Sequence, residues 1–328
     1  MNIYIVVTYY HLLISIIKCI SERGKHDLII YGDTKDNSLI ENECLIKRLE
    51  KTGIFKNIYI INYKVYFTKY SDYGTKFQLK RIAVMKTLKK QLDNLHIRNY
   101  GNLYIFNDMT TIGKCINKMN LKYILLEDGL DCFKNNSRIV NIKNPIKKYI
   151  KKVLYGSYQM GMSKNVIYIE VNNKEGIVNN GNLIVETKKI DLFQSLCAED
   201  SKEVLDVFIT NSFEFCNGSN LLITQPLFQD KILASEESQI NIYKKILDKY
   251  CKNEKVLIKN HPRESIKYEA YFSNVICLDK EFPLEILLLN NNIWFNKVIT
   301  ISSTAIEMFD NCKEKIKLGW EWLDENID

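Results

Sequence analysis

The stretch Lys255-Val256-Leu257-Ile258-Lys259-Asn260-His261-Pro262-Arg263-Glu264 decides the reading of the whole chain. Its first half is a short apolar run containing a β-branched residue and bounded by polar ones, which predicts a buried strand. Pro262 cannot donate to a sheet ladder and biases His261 towards an extended backbone, so the strand ends there. In an open α/β sheet the carboxyl ends of the strands face the ligand crevice. His261 is therefore expected at such an end, with Lys259 two residues before it and Arg263 two residues after. A strand-end histidine between two cations points to an anionic ligand.

The rest of the chain alternates in the same way. Apolar runs at residues 2–8 (NIYIVVT), 27–31 (DLIIY), 57–62 (NIYIIN), 101–107 (GNLYIFN) and 122–126 (KYILL) predict strands. Helical periodicity lies between them, at 10–20, 37–51, 77–95 and up to about 120. In the second half, 220–224 (NLLIT), the His261 strand, 274–278 and 297–301 (KVITI) are the strands. Helices are expected over 239–250 and from Pro283, and again after Thr304. Residues 166–185 read as irregular strands with Asn/Gly turns, and 188–208 as one helix linking two domains. Strand alternating with helix predicts two doubly wound α/β domains, 1–217 and 218–328. When two such domains face each other across a cleft, the architecture is called GT-B.

Composition narrows the class. With 328 residues, 46% hydrophobic and 26% charged, the chain reads as a soluble globular protein able to bury two cores. The net charge of +7 fits an anionic substrate, an anionic membrane surface or simply a solvated lysine-rich face. No arginine-rich or basic-aromatic strip calls for nucleic acid. Nine cysteines, scattered without a C-x-x-C pair, read as reduced core thiols rather than a disulfide framework or zinc site. The uncharged run 3–17 lacks a basic leader and a cleavage site, so it reads as strand and helix, and the protein is expected in the cytoplasm. Lys147-Lys148 and Lys151-Lys152 are a candidate contact to an acidic acceptor or the inner membrane face, or else an exposed helix face.

Three further constellations carry chemistry. Ser302-Ser303-Thr304 follows a strand, and Thr304 with Glu307 forms a capping-box pattern; hydroxyls and free N–H groups there suit a phosphate, or serve only as a cap. Glu285, near the start of a helix, can accept from the two hydroxyls of a ribose or complement the helix dipole. Glu127-Asp128-Gly129 ends a strand of the first domain, where like-charge crowding would raise one carboxyl towards the range of a general base; a polar turn explains it equally. Asp230, after Thr224-Gln225-Pro226, is a further carboxylate candidate. The P-loop, G-x-G-x-x-G, H-E-x-x-H and G-x-S-x-G motifs are absent, and so is a metal-holding D-x-D.

In order, Glu127-Asp128-Gly129, Lys259-Asn260-His261-Pro262 and Ser302-Ser303 resemble the D/E-D/E-G, HP and serine-pair motifs of bacterial sialyltransferases. Thr8-Tyr9-Tyr10-His11-Leu12-Leu13 and Thr224-Gln225-Pro226 look most like glycosyltransferase family 52, the lipooligosaccharide and capsule sialyltransferases. The resemblance implies a GT-B fold and metal-independent, inverting transfer of sialic acid from CMP-sialic acid to a galactose-terminated glycan, with no cofactor. It gives His261 the departing CMP phosphate to protonate or stabilise, Ser302 and Ser303 that phosphate to hold, Lys259 the cytosine and Glu285 the ribose. Pro262, Arg263, Thr304, Thr224 and Gln225 fall with them on the CMP side. Glu127 or Asp128 would deprotonate the acceptor, with Asp230 an alternative base, and Thr8, Tyr10, His11 and Asn107 fall on the acceptor side. It also implies a homodimer. The rival readings are a teichoic-acid-type transferase of polyol phosphate from a CDP-alcohol, and a non-catalytic glycan-binding protein. Teichoic-acid-type enzymes use a second histidine near the HP motif, whereas His11, His26 and His96 all lie in the first half.

Overall fold

The computed structural model describes residues 1–32, 39–63, 75–129, 133, 149, 153, 159–177, 181–209, 217–278, 281, 283–289 and 293–327. The chain divides into two compact units, Met1–Val207 and Phe208–Asp328. The expected basic patch at Lys147-Lys148 and Lys151-Lys152 lies outside the described residues.

The first unit is built on seven parallel strands: β1 (Ile3–Val6), β2 (His26–Gly32), β3 (Phe55–Asn62), β4 (Leu103–Ile105), β5 (Tyr123–Leu126), β6 (Val166–Val171) and β7 (Ile184–Glu186). Their order across the sheet is β3-β2-β1-β4-β5-β6-β7. The direction of winding reverses between β1 and β4, and such a reversal opens a crevice at the carboxyl ends of those two strands. Among the described residues of the unit, helices α1 (Tyr9–Ser21), α2 (Glu43–Thr52), α3 (Thr75–Asn94), α4 (Thr111–Lys118), α5 (Lys189–Gln194) and α6 (Ala198–Phe208) accompany the sheet. The helix expected over 188–208 is thus two helices, broken at Ser195–Cys197. Residues 166–185, read as irregular, instead supply two strands that extend the parallel sheet.

The second unit has five parallel strands, β8 (Asn220–Ile223), β9 (Val256–Lys259), β10 (Val275–Leu278), β11 (Phe295–Thr300) and β12 (Cys312–Lys317), in the order β10-β9-β8-β11-β12. Here the reversal lies between β8 and β11. Strands β8 and β9 are buried at every position, as their unbroken apolar runs require. Helices α7 (Glu236–Tyr250) and α8 (Gly319–Asn326) pack beside this sheet through Tyr243, Ile246 and Leu323. The elements after Pro283 and Ser303 are short 3-10 helices, Leu284–Leu289 and Thr304–Met308, where sequence predicted α-helices. Among the described residues, Cys19, Cys115 and Cys251 are buried thiols, whereas Cys44 and Cys197 are exposed and play no core part. No helix among them is long and apolar enough to cross a membrane.

A buried charge cluster ties the helices of the first unit to its sheet. Lys18 of α1 donates to both oxygens of Glu170 on β6, at 3.1 and 2.9 Å, and Lys189 of α5 lies 3.4 Å from the same carboxylate. All three residues are at most 9% exposed. Burial pulls the Lys189 ammonium below the usual lysine range, and Glu170 opposes that pull. Removing one member of such a cluster strands buried charge, whereas replacing all of it with packed apolar groups is close to neutral. Glu170→Ala is expected to cost about 3–5 kcal/mol in urea unfolding. A Lys18→Met, Glu170→Leu, Lys189→Met triple variant is expected to recover most of that loss.

Candidate active site

In the second unit, three neighbouring strands deliver their carboxyl ends together. Ile223 of β8 pairs with Lys259 of β9 on one side and Thr300 of β11 on the other. The segments that follow, Thr224-Gln225, Asn260-His261 and Ile301-Ser302-Ser303, leave the same edge, and strand spacing puts the outer two about 10 Å apart.

The His261 turn is fastened from beneath. The Glu264 N–H donates to the His261 carbonyl at 2.9 Å, closing a β-turn over Pro262-Arg263. Its carboxylate reaches back to accept the His261 N–H at 2.7 Å and the Thr224 hydroxyl. The other oxygen takes Gln239 of α7 at 2.5 Å and the Tyr268 hydroxyl at 3.1 Å. Glu264 is 2% exposed. Burial raises its carboxyl, and those four hydrogen bonds work in the opposite direction. The His261 Nδ1 accepts from the Arg263 N–H at 3.2 Å, so the neutral ring carries its hydrogen on Nε2. Sequence reading missed Glu264, although a carboxylate three residues after a turn residue is the spacing that lets it cap that turn.

The serine pair is arranged to donate. Ser302 Oγ accepts from the Gln225 amide at 2.7 Å, and its N–H returns to Gln225 Oε1 at 2.9 Å. Ser303 Oγ accepts from the Ala305 N–H at 3.3 Å. Each hydroxyl acts as an acceptor towards the protein, which leaves its own hydrogen able to donate. The cap of the following turn is Ser303, not Thr304, and Glu307 pairs with Lys317 at 3.3 Å instead of closing a capping box. The turn is five residues of 3-10 helix, so the hydroxyls, not a helix dipole, are what this segment offers.

Lys259 is 4% exposed and donates to the Asn260 carbonyl at 3.3 Å. Glu285 is partly buried; burial raises its carboxyl and the Lys259 charge lowers it, so the two lie within electrostatic reach. Arg263 and Asp230 form a bidentate ion pair, at 2.5 and 3.0 Å, on the exposed side of the turn. Both Asp230 oxygens are engaged there, and so is the Arg263 fork.

In the first unit, β1, β4 and β5 end at Val7-Thr8, Phe106-Asn107 and Glu127-Asp128. Successive residues leave a strand on opposite sides. Glu127 turns inward, 1% exposed, and accepts the Asn172 N–H at 2.8 Å. Asp128 turns the other way, with its side chain 20% exposed. The two carboxylates take separate partners and are not the crowded pair that the sequence predicted. Asp128 Oδ1 lies 2.6 Å from His11 Nε2, and Oδ2 accepts from Asn107 Nδ2 at 2.8 Å. Gly129 follows at φ +150°, a region that favours glycine and sets the turn after Asp128. Thr8 is the N-cap of α1, accepting the His11 N–H at 3.2 Å, and the half-buried Tyr10 packs edge-on against His11.

Beside Asn107 lies Asp108, fully buried, whose carboxylate accepts from the Tyr123 hydroxyl at 2.7 Å and from the Gly161 N–H. Gly113 approaches so closely that a Cβ there would lie 2.5 Å from the Asp108 Cα. Burial pushes the Asp108 carboxyl up to about 6 despite its hydrogen bonds. The folded state therefore holds this proton more tightly than the unfolded chain does. Its contribution to stability is complete below about pH 4 and is lost as pH rises through about 6. Asp108→Asn is expected to abolish that part of the pH dependence, worth up to roughly 3 kcal/mol, in urea unfolding followed between about pH 4 and 7.

Solved structures with this two-sheet arrangement include the UDP-GlcNAc 2-epimerase of Neisseria meningitidis bound to UDP-GlcNAc (TM-score 0.52, 14% identity, 94% of this chain and 79% of that one). The Methanocaldococcus jannaschii UDP-GlcNAc 2-epimerase in complex with UDP-GlcNAc and UDP matches over 100% and 92% at TM-score 0.52 and 14% identity. The spinosyn forosaminyltransferase SpnP matches at TM-score 0.53 and 9% identity, over 99% and 81%. At these identities the likeness shows the fold, which is GT-B. An uncharacterized protein of Haemophilus influenzae is 32% identical over 221 residues, 66% of each chain, just under two thirds of that relative's length. The family model described as glycosyltransferase family 52 matches residues 50–318, a span that holds the Glu127-Asp128-Gly129, His261-Pro262 and Ser302-Ser303 motifs, and the chain belongs to that family.

Proposed function

We propose that this glycosyltransferase moves sialic acid from CMP-sialic acid to a galactose-terminated glycan, with inversion and without a bound metal ion. The observation that carries the reading is the strand-end cluster of the second unit. The Ser302 and Ser303 hydroxyls keep their hydrogens to donate, and the His261 ring has its hydrogen on Nε2. A single phosphate needs donors of this kind, and it needs them most as charge builds on it during departure.

In this mechanism the CMP phosphate lies against the two serine hydroxyls, and His261 Nε2–H donates to it as the bond to the sugar lengthens. Glu264 and Thr224 keep the His261 turn in place, and Gln225 does the same for Ser302. Lys259 lies towards the base and Glu285 accepts from the ribose hydroxyls. Asp128 takes the proton of the acceptor hydroxyl. It is preferred to Glu127, which is turned inward, and to Asp230, whose oxygens are both held by Arg263.

The test incubates the protein with CMP-sialic acid and a panel of galactosides in EDTA and identifies the products by mass. A sialylated galactoside is expected, and His261→Ala is expected to lower kcat by about 100-fold or more. Wild-type turnover in that variant removes His261 from the mechanism. Transfer of a polyol phosphate from a CDP-alcohol, with none from CMP-sialic acid, replaces the donor assignment.

A further inference from the structure

The surroundings of Asp128 contain more than a general base requires. His11 is 1% exposed and stacks on Phe106, with ring centroids 4.2 Å apart and planes at 9°. Its Nδ1 accepts the Val7 N–H at 3.3 Å, which places the ring hydrogen on Nε2, facing Asp128 Oδ1 at 2.6 Å. Asn107 is fixed in the same manner. Its Oδ1 accepts the Met109 N–H at 2.9 Å, so its Nδ2 faces Asp128 Oδ2 at 2.8 Å. A backbone N–H thus settles the orientation of each donor, and each donor faces one carboxylate oxygen. The two donors leave β1 and β4, the strands on either side of the winding reversal.

A buried ring closed off by Phe106 and Val7 is in no position to meet an acceptor sugar. His11 has no path to solvent, whereas the Asp128 side chain is 20% exposed, and the half-buried Asn107 has its amide oxygen held by the Met109 N–H and its amide nitrogen turned onto Asp128. We infer that His11 and Asn107 are positioning residues. They hold Asp128 in one rotamer, with its outward lone pairs presented to the acceptor hydroxyl, and neither touches the sugar. A reacting group keeps its productive geometry when hydrogen bonds from beneath lock its rotamer. Without them Asp128 would sample other rotamers. This inference rests on Asp128 being the base.

The test compares His11→Ala, His11→Gln, Asn107→Ala and Asp128→Asn, using CMP-sialic acid and the best galactoside from the panel. In His11→Ala and Asn107→Ala kcat is expected to fall about tenfold or more. The KM for the donor is expected to stay as in the wild type. His11→Gln supplies an amide donor towards the Nε2 position and is expected to restore most of kcat. An unchanged kcat in both alanine variants overturns the positioning role, and so does an equal fall in the glutamine variant. Full turnover in Asp128→Asn defeats the base assignment itself, whatever His11 does. Should the chain sialylate nothing, protein labelled with 13C-aspartate gives a readout that needs no turnover. The Asp128 carboxyl line, identified by its loss in Asp128→Asn, is expected to move or broaden in His11→Ala and Asn107→Ala and to recover in His11→Gln. A line unchanged in the alanine variants overturns the inference.

Discussion

Parallel pairing around one central strand is the constraint on which the second unit depends. Because β8 pairs in the same direction with β9 and with β11, the residues after all three strands leave at one edge. A single antiparallel strand in that trio would send its following loop to the far edge, and His261 and Ser302 could not share a ligand. Once the edge is shared, local chemistry finishes the site. Gln225 bonds to Ser302 through both ends of its amide, and Thr224 bonds to the neighbouring His261 turn. Two consecutive residues after β8 therefore tie together the loops on either side.

The first unit repeats the device with different chemistry. Its winding reverses between β1 and β4, and from those strand ends come His11 and Asn107, while β5 beside them brings Asp128. Each sheet thus uses its reversal point, but one gathers an imidazole and two hydroxyls and the other gathers donors around a carboxylate. Thr8 and His11, read from the sequence as acceptor-side residues, are in the structure an N-cap and a buried ring facing Asp128.

Much of this was legible in the residues. Short β-rich apolar runs announce strands, and each such run, from 2–8 to 297–301, became a strand of a parallel sheet. What the sequence concealed has physical causes. Strand β12 reads Cys-Lys-Glu-Lys-Ile-Lys, with exposed charges along most of its length, because an edge strand is protected from unwanted pairing by lysine. Strand β7, on the edge of the other sheet, is three residues long and only half-buried. The turn after Ser303 looked helical because Thr304 and Glu307 have capping-box spacing, yet Glu307 found Lys317 on β12, a strand the sequence had not revealed. Glu264 was overlooked for a similar reason. Its partners Thr224, Gln239 and Tyr268 are spread over 45 residues of chain and meet only once the sheet has formed.

Two of the buried carboxylates near these strand ends, Glu264 and Asp108, show how the fold supports groups that must stay where they are. Each collects hydrogen bonds from hydroxyl, amide or backbone donors that arrive from separate segments. Those donors favour the charged form, but removal from water costs more, so both carboxyls are raised. The cost is tolerated because a short acceptor on a rigid strand end can orient several donors at once, where an apolar side chain could orient none. Glu264 fixes the backbone that carries His261, and Asp108 fixes the loop that carries Asn107. The exposed ends of both sites are therefore held by polar groups that solvent does not reach, and the positions of the reactive side chains follow from networks built beneath them.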